Sequence, residues 1–238
     1  MALATKNAKI SEIFLSYQGE GPFAGSRQLF VRFYGCDKTC AFCDTKFTSY
    51  KSFTPDSLLT KIFSFEDNYN ELSITGGEPL EHSEFLIEFL KLYKTYKKNP
   101  VYLETNGLLP QELTTVIKYI DIIAMDFKLP SSAGEILPNN QDIWAIHKKF
   151  SEIAIQKKLI IKAVVTDKTK MQDIKEMGNI VISLKGALEV VLQPVTPVND
   201  EVKAPDAEML YYFKRYLEKI MGRDILAVGQ LHKIFNIP

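Results

Sequence analysis

Leu72-Ser73-Ile74-Thr75-Gly76-Gly77-Glu78-Pro79 is a β-rich run that ends at paired glycines and a proline. Just downstream, Phe85, Leu86, Phe89, Leu90 and Tyr93 recur at helical spacing. Strand, turn and helix in this order make a βα unit, and the alternation continues on both sides. Upstream, residues 29–33 read as a strand that feeds a cysteine-bearing loop. Downstream, 101–104 end in Thr105-Asn106-Gly107, and 120–125 lead into Asp126-Phe127-Lys128. Residues 159–165 form a fifth strand, and 188–192 a sixth that runs into Gln193-Pro194. A second helical stripe contains Leu210, Tyr211, Phe213, Tyr216 and Leu217. The strands are nearly all apolar, as expected for a parallel α/β sheet covered by helices. Ligand sites in such folds gather at the C-terminal ends of the strands. The polar and glycine-rich motifs sit at those ends, which predicts one cavity that collects them.

The bulk properties narrow the class. A chain of 238 residues with 46% hydrophobic content predicts one domain, 1–238, with a substantial core. Lys+Arg and Asp+Glu are both 29, so no basic field points to nucleic acid. No apolar run approaches a membrane span, and Met1-Ala2-Leu3-Ala4-Thr5-Lys6-Asn7 is too short and polar for a signal peptide. The expected compartment is the cytoplasm, where thiolates and an oxygen-sensitive centre persist best.

All three cysteines, Cys36, Cys40 and Cys43, fall within eight residues in a C-x3-C-x2-C run. Three thiolates on a four-iron cube leave one iron open to a non-protein ligand, which argues for chemistry more than scaffolding. Structural zinc is the alternative, and would need a histidine such as His82, His147 or His232 to complete four ligands. A disulfide framework fits poorly, because three cysteines cannot all pair and so short a loop gains little.

Other residues carry a functional and a plain reading side by side. Gln18-Gly19-Glu20-Gly21-Pro22, just before the first strand pair, can read the edge of a heterocycle or be a loop. Arg32, inside an apolar strand, needs an anion: a substrate carboxylate or a structural Asp or Glu. Thr45 can contact a hard cation or cap a turn. Paired glycines at 76 and 77 allow close backbone approach to a ligand, Glu78 can accept from an amine, and the plain reading is a tight turn with Pro79 opening the helix. Glu104, Thr105 and Asn106, with Asp126 and Lys128, suit ribose or carboxylate, or form salt bridges. His82 and His147 read as solvated. The apolar residues from Gln230 to Pro238 predict a docked tail that places the Pro238 carboxylate.

In this company the cysteine run, with its downstream Gly-Gly-Glu-Pro, resembles that of the radical S-adenosylmethionine enzymes. Within that superfamily the chain is similar to the branch that contracts a reduced pterin ring to a deazapurine. The likeness is carried by Gln18-Gly19-Glu20-Gly21, Phe30-Val31-Arg32, Cys43-Asp44-Thr45 and Thr75-Gly76-Gly77-Glu78-Pro79. It extends through Glu104-Thr105-Asn106-Gly107, Asp126-Phe127-Lys128, Leu192-Gln193-Pro194 and His232-Lys233 near Pro238. The resemblance implies a [4Fe-4S] cluster on Cys36, Cys40 and Cys43. Its open iron would chelate S-adenosyl-L-methionine and generate a radical that takes hydrogen from C6 of the pterin and later returns it. The product would be 7-carboxy-7-deazaguanine, formed from 6-carboxy-5,6,7,8-tetrahydropterin with loss of ammonia, on the route to queuosine and related deazapurines.

On the same basis Phe42, Asp44, Gly77, Glu104, Asp126, Phe127, Lys128, Gln193, Pro194, Val195 and Thr196 would line the cofactor side. Tyr17, Gln18, Gly19, Arg32, Thr75, His232 and Pro238 would hold the pterin, with Arg32 on its carboxylate, and Thr45 would contact Mg2+. A flavodoxin or ferredoxin reductant and a homodimer are implied as well. So is an incomplete, TIM-like β/α barrel with parallel strands and outer helices, since the chain is too short for eight full repeats. A glycyl-radical activase, which shares the cysteine spacing, is the competing radical enzyme; it needs an open cavity mouth for a partner protein.

Overall fold

The computed structural model describes residues 7–65, 68–134, 136–137, 141–235 and 237. Among the described residues nine strands form one sheet: β1 (Ala8–Tyr17), β2 (Arg27–Phe33), β3 (Lys51–Phe53), β4 (Glu71–Gly76), β5 (Val101–Thr105), β6 (Ile122–Asp126), β7 (Lys158–Val165), β8 (Leu188–Pro194) and β9 (Leu226–Ala227). The order is β3-β1-β2-β4-β5-β6-β7-β8-β9. From β2 through β9 every pairing is parallel, whereas β1 runs antiparallel to both β2 and β3. The order is open at β3 and β9, so the sheet is an incomplete barrel, as expected.

The principal helices are α1 (Pro55–Phe63), α2 (Ser83–Tyr96), α3 (Pro110–Val116), α4 (Pro130–Ala133), α5 (Ile143–Ala154), α6 (Met171–Ser183), α7 (Ala207–Met221) and α8 (Leu231–Ile234). Their ends follow local chemistry. Thr54 and Ser57 close a capping box at α1. Asp142 accepts from the Trp144 and Ala145 amides to start α5, and Asp206 accepts from the Met209 amide to start α7. None of the described helices is long and apolar enough to cross a membrane.

The six strands expected from the sequence are all present, with β6 starting two residues later than 120. Strands β1, β3 and β9 were not anticipated. As a result, Gln18–Gly21 does not precede the first strand pair; it forms the connection between β1 and β2. The reason lies in β1, whose mixed sequence AKISEIFLSY lacks the continuous apolar character of a central parallel strand.

Strand periodicity separates the two faces. Leu29, Val31, Leu72, Ile74, Leu103, Ile123, Ile161 and Leu192 point into the main core with α2, α6 and α7. The alternate residues, among them Arg32, Thr75, Glu104, Asp126, Lys162 and Gln193, face a cavity on the concave side. Tyr102, Ile122, Ala124, Ile160 and Val191 pack as an apolar cluster on this same set of positions. The concave face therefore combines an apolar patch with polar and charged groups toward the C-terminal strand ends.

Candidate active site

The cysteine loop leaves the end of β2 and is clamped from below. The Gly77 amide donates to the Phe33 carbonyl at 3.2 Å, and the Glu78 amide donates to Gly35 O at 3.1 Å. At Gly77 a Cβ would lie 1.7 Å from Gly35 O and 2.8 Å from the Cys36 Cβ, so only glycine permits this approach. Glu81 Oε1 accepts from the Asp37 amide at 2.8 Å, and the Ala41 amide donates to Ala133 O at 2.9 Å. The three thiols all border one cavity of about 600 Å³. Burial pushes the Cys36 thiol up to about 11 and raises Cys40 as well, with Lys128 opposing the second shift. Iron binding therefore has to displace protons from these sulfurs. Among the described residues, no three Cys, His, Asp or Glu side chains converge on one point as ligands of a lone ion would.

Most residues singled out in the sequence meet at this cavity. Gln18 donates to Glu104 Oε1 at 2.8 Å, and Thr75 donates to Glu104 Oε2 at 2.7 Å. Glu104 thus joins the two groups expected on the pterin, although the sequence reading placed it with the cofactor. Asp126 Oδ2 accepts from Lys128 Nζ at 2.7 Å, and that ammonium lies 4.9 Å from the centre of the Phe42 ring. Tyr17, Gly19, Arg32, Asp44, Thr45, Gly77, Val195 and His232 also border the cavity.

Phe127, Pro194 and Thr196 do not border it. In an extended segment alternate side chains face opposite ways, so Asp126 and Lys128 take the cavity side while the Phe127 ring enters the core. Gln193 and Val195 take the cavity side in the same manner, and Pro194 and Thr196 turn away. Pro238 lies outside the described residues.

Three cavity-lining residues carry buried polar atoms without a partner among the described residues: Asn106 Nδ2, Asp126 Oδ1 and Gln193 Oε1. Buried orphan atoms of this kind are costly and call for a polar ligand. Two acceptors and one donor suit a molecule with ammonium, carboxylate, ribose and purine edges. They stand on the same cavity as the three thiols, so the donor set fits a cluster-bound S-adenosylmethionine.

Two expectations are corrected by burial. Glu78 does not reach the cavity; it is fully buried. Its Oε1 accepts from the Leu80 amide at 3.0 Å and the Thr105 hydroxyl at 2.9 Å, and its Oε2 accepts from the Asn106 amide at 2.7 Å. Burial outweighs these donors and pushes its carboxyl up to about 7. It ties the turn after β4 to the end of β5. His147 is not solvated but wholly buried on α5. Its Nε2 accepts from the Lys128 amide at 3.0 Å, which leaves Nδ1–H to donate to Gly107 O at 3.3 Å. Burial lowers its pKa to about 4, so the ring is neutral near pH 7, and it packs 4.2 Å from the Phe127 ring.

Several groups escaped the sequence reading. Lys162 projects from β7 into the cavity and pairs with Glu20 from the β1–β2 connection. Glu20 also accepts from Gln230 at 2.8 Å, and Lys233 pairs with Asp44. These contacts dock α8 over the cavity, together with the Leu231 amide, which donates to Gly19 O at 2.9 Å. Lys162 could have been flagged by the argument used for Arg32, a charge inside an apolar strand. Gly19 is a close-approach position: a Cβ there would stand 2.2 Å from His232 Nδ1. We expect Gly19→Ala to displace α8, raise the substrate KM about tenfold and spare cluster content. Steady-state kinetics with iron analysis measures both, and an unchanged KM would show that the tail packs without bearing on substrate.

A family model described as the radical SAM superfamily matches residues 30–177. The chain is 34% identical to a 7-carboxy-7-deazaguanine synthase of Geobacter sulfurreducens, with 83% of this chain and 86% of that protein covered. A 7-carboxy-7-deazaguanine synthase of Archaeoglobus fulgidus is 33% identical, with 97% and 99% covered. The chain belongs to the 7-carboxy-7-deazaguanine synthase family of radical SAM proteins. The crystal structure of QueE from Escherichia coli shares the fold of this family member, with a TM-score of 0.62 at 21% identity over 95% of each chain.

Proposed function

We infer that the chain is a radical SAM lyase that converts 6-carboxy-5,6,7,8-tetrahydropterin to 7-carboxy-7-deazaguanine with loss of ammonia. The observation that carries this reading is the opening of Cys36, Cys40 and Cys43 onto the same cavity as Arg32, Glu104 and the orphan atoms of Asn106, Asp126 and Gln193. When bound, the cluster and S-adenosyl-L-methionine supply one-electron cleavage of a sulfonium and a radical able to abstract hydrogen.

The three cysteines would hold the cluster as thiolates. Asn106, Asp126, Lys128 and Gln193 would receive the polar edges of the cofactor, with the Lys128 ammonium held over the Phe42 ring. Arg32 receives the substrate carboxylate. Gln18, Thr75 and Glu104, already hydrogen-bonded to one another, present amide, hydroxyl and carboxylate to the pterin edge. Thr45 offers its hydroxyl to Mg2+. His232 and the docked α8 would cover the cavity and exclude water from the bound groups. A flavodoxin or ferredoxin delivers the electron, and the working unit is a homodimer. No side chain need serve as the principal acid or base.

The test is anaerobic incubation of reconstituted, reduced protein with 6-carboxytetrahydropterin, S-adenosylmethionine and Mg2+. The expected result is a deazapurine with one ammonia released per turnover. An intact cluster, seen by electron paramagnetic resonance, that yields no deazapurine would refute the assignment.

A further inference from the structure

Strand β1 contains a bulge beside the site. Ile10 pairs with Phe33, but Glu12 pairs with Arg32, so Ser11 is the extra residue. Ile10 and Phe33 belong to the main core, and without the bulge the same parity would send Glu12 toward that core. With it, Ser11 and Glu12 both face the cavity, and Glu12 stands directly across from Arg32. Bulges re-aim side chains in this way near functional sites. The Ser11 hydroxyl donates to Arg32 O at 3.1 Å and pins the irregularity.

The resulting contact is one-sided. Arg32 Nε donates to Glu12 Oε2 at 2.7 Å, and the guanidinium lies 5.4 Å from the Phe14 ring centre, with Phe14 stacked on Phe30 at 5.1 Å. Neither Nη group donates a hydrogen bond among the described residues, so the forked end of the guanidinium is left for a bidentate carboxylate. Glu12 is 58% exposed and Arg32 27%, so solvent screens repulsion between Glu12 and an incoming anion.

We propose that Glu12 is a positioning residue that braces Arg32 through Nε, so that its Nη pair selects pterins bearing a 6-carboxylate. The proposal rests on the reading in which Arg32 meets the substrate carboxylate. An aromatic shelf beneath the guanidinium and a brace at its side remove two rotational freedoms that binding would otherwise have to freeze.

Calorimetric titration of the reconstituted protein with 6-carboxypterin and with unsubstituted pterin tests it. Glu12→Ala is expected to weaken 6-carboxypterin about fivefold and leave unsubstituted pterin unchanged. Glu12→Gln keeps an acceptor for Nε and is expected to bind within about twofold of wild type. Should alanine cost the fold, Glu12→Asp, too short to reach Nε, is expected to weaken 6-carboxypterin as alanine would. Tighter 6-carboxypterin binding by E12A would make Glu12 a competitor and overturn the brace. Equal losses for both ligands, or a loss in E12Q as large as in E12A, would overturn it too. If wild-type protein binds the two pterins equally, the assignment of Arg32 falls and the brace with it. If wild type discriminates but E12A does so equally well, the brace alone falls.

Discussion

Cys40→Ala is expected to yield folded protein with iron at background, no cluster resonance and no measurable turnover. Two remaining thiolates cannot hold a cube that needs three. The fold should persist because the loop is held by backbone bonds that involve no sulfur, from Gly77 N, Glu78 N and Ala41 N. Iron and sulfide analysis, resonance spectra and circular dichroism of the anaerobically purified variant decide it. A C40A protein that keeps its cluster and its turnover would contradict the three-thiolate assignment, and one zinc per chain in the wild type would contradict the cluster itself.

Glu78→Ala is expected to destabilise the cluster-free protein by about 3–5 kcal/mol in denaturant unfolding. The carboxylate is fully buried, and its removal strands the Leu80 and Asn106 amides and the Thr105 hydroxyl while opening a void. That is a large share of the 5–15 kcal/mol typical of a domain. Glutamine is no remedy, since its amide nitrogen would face a donor. The pH dependence has a definite sign. The folded-state pKa, pushed up to about 7 by burial, stands above the ordinary 4.5, so the folded protein binds this proton more tightly than the unfolded chain. The stability gap between wild type and E78A should therefore be widest below about 4.5 and narrow as pH rises toward 7. A gap that widens over that window would mean that the three donors hold Glu78 ionised against burial.

The central strands were readable because helices cover them and continuous apolar runs advertise that environment. Strand β1 was hidden for the opposite reason: its sequence alternates charge and apolar character, and the bulge at Ser11 breaks the period. Missing β1 misplaced Gln18–Gly21 and concealed Glu12. Helical context misled at His147, whose neighbours on α5 include exposed lysines while its own face is apolar. Glu78 looked like an amine acceptor because a motif names a residue type without its depth. Phe127, Pro194 and Thr196 were carried along with true cavity neighbours, and strand alternation separates them.

By itself the sequence determined the alternating α/β order, the three-cysteine loop and the clustering of polar motifs at strand ends, because each depends on local spacing and hydrophobic period. Tertiary structure alone decided which side of each strand end meets the cavity, that Lys162 finds Glu20, and that α8 docks on Gly19. Those are contacts between residues far apart along the chain, and no local pattern encodes the distance between them.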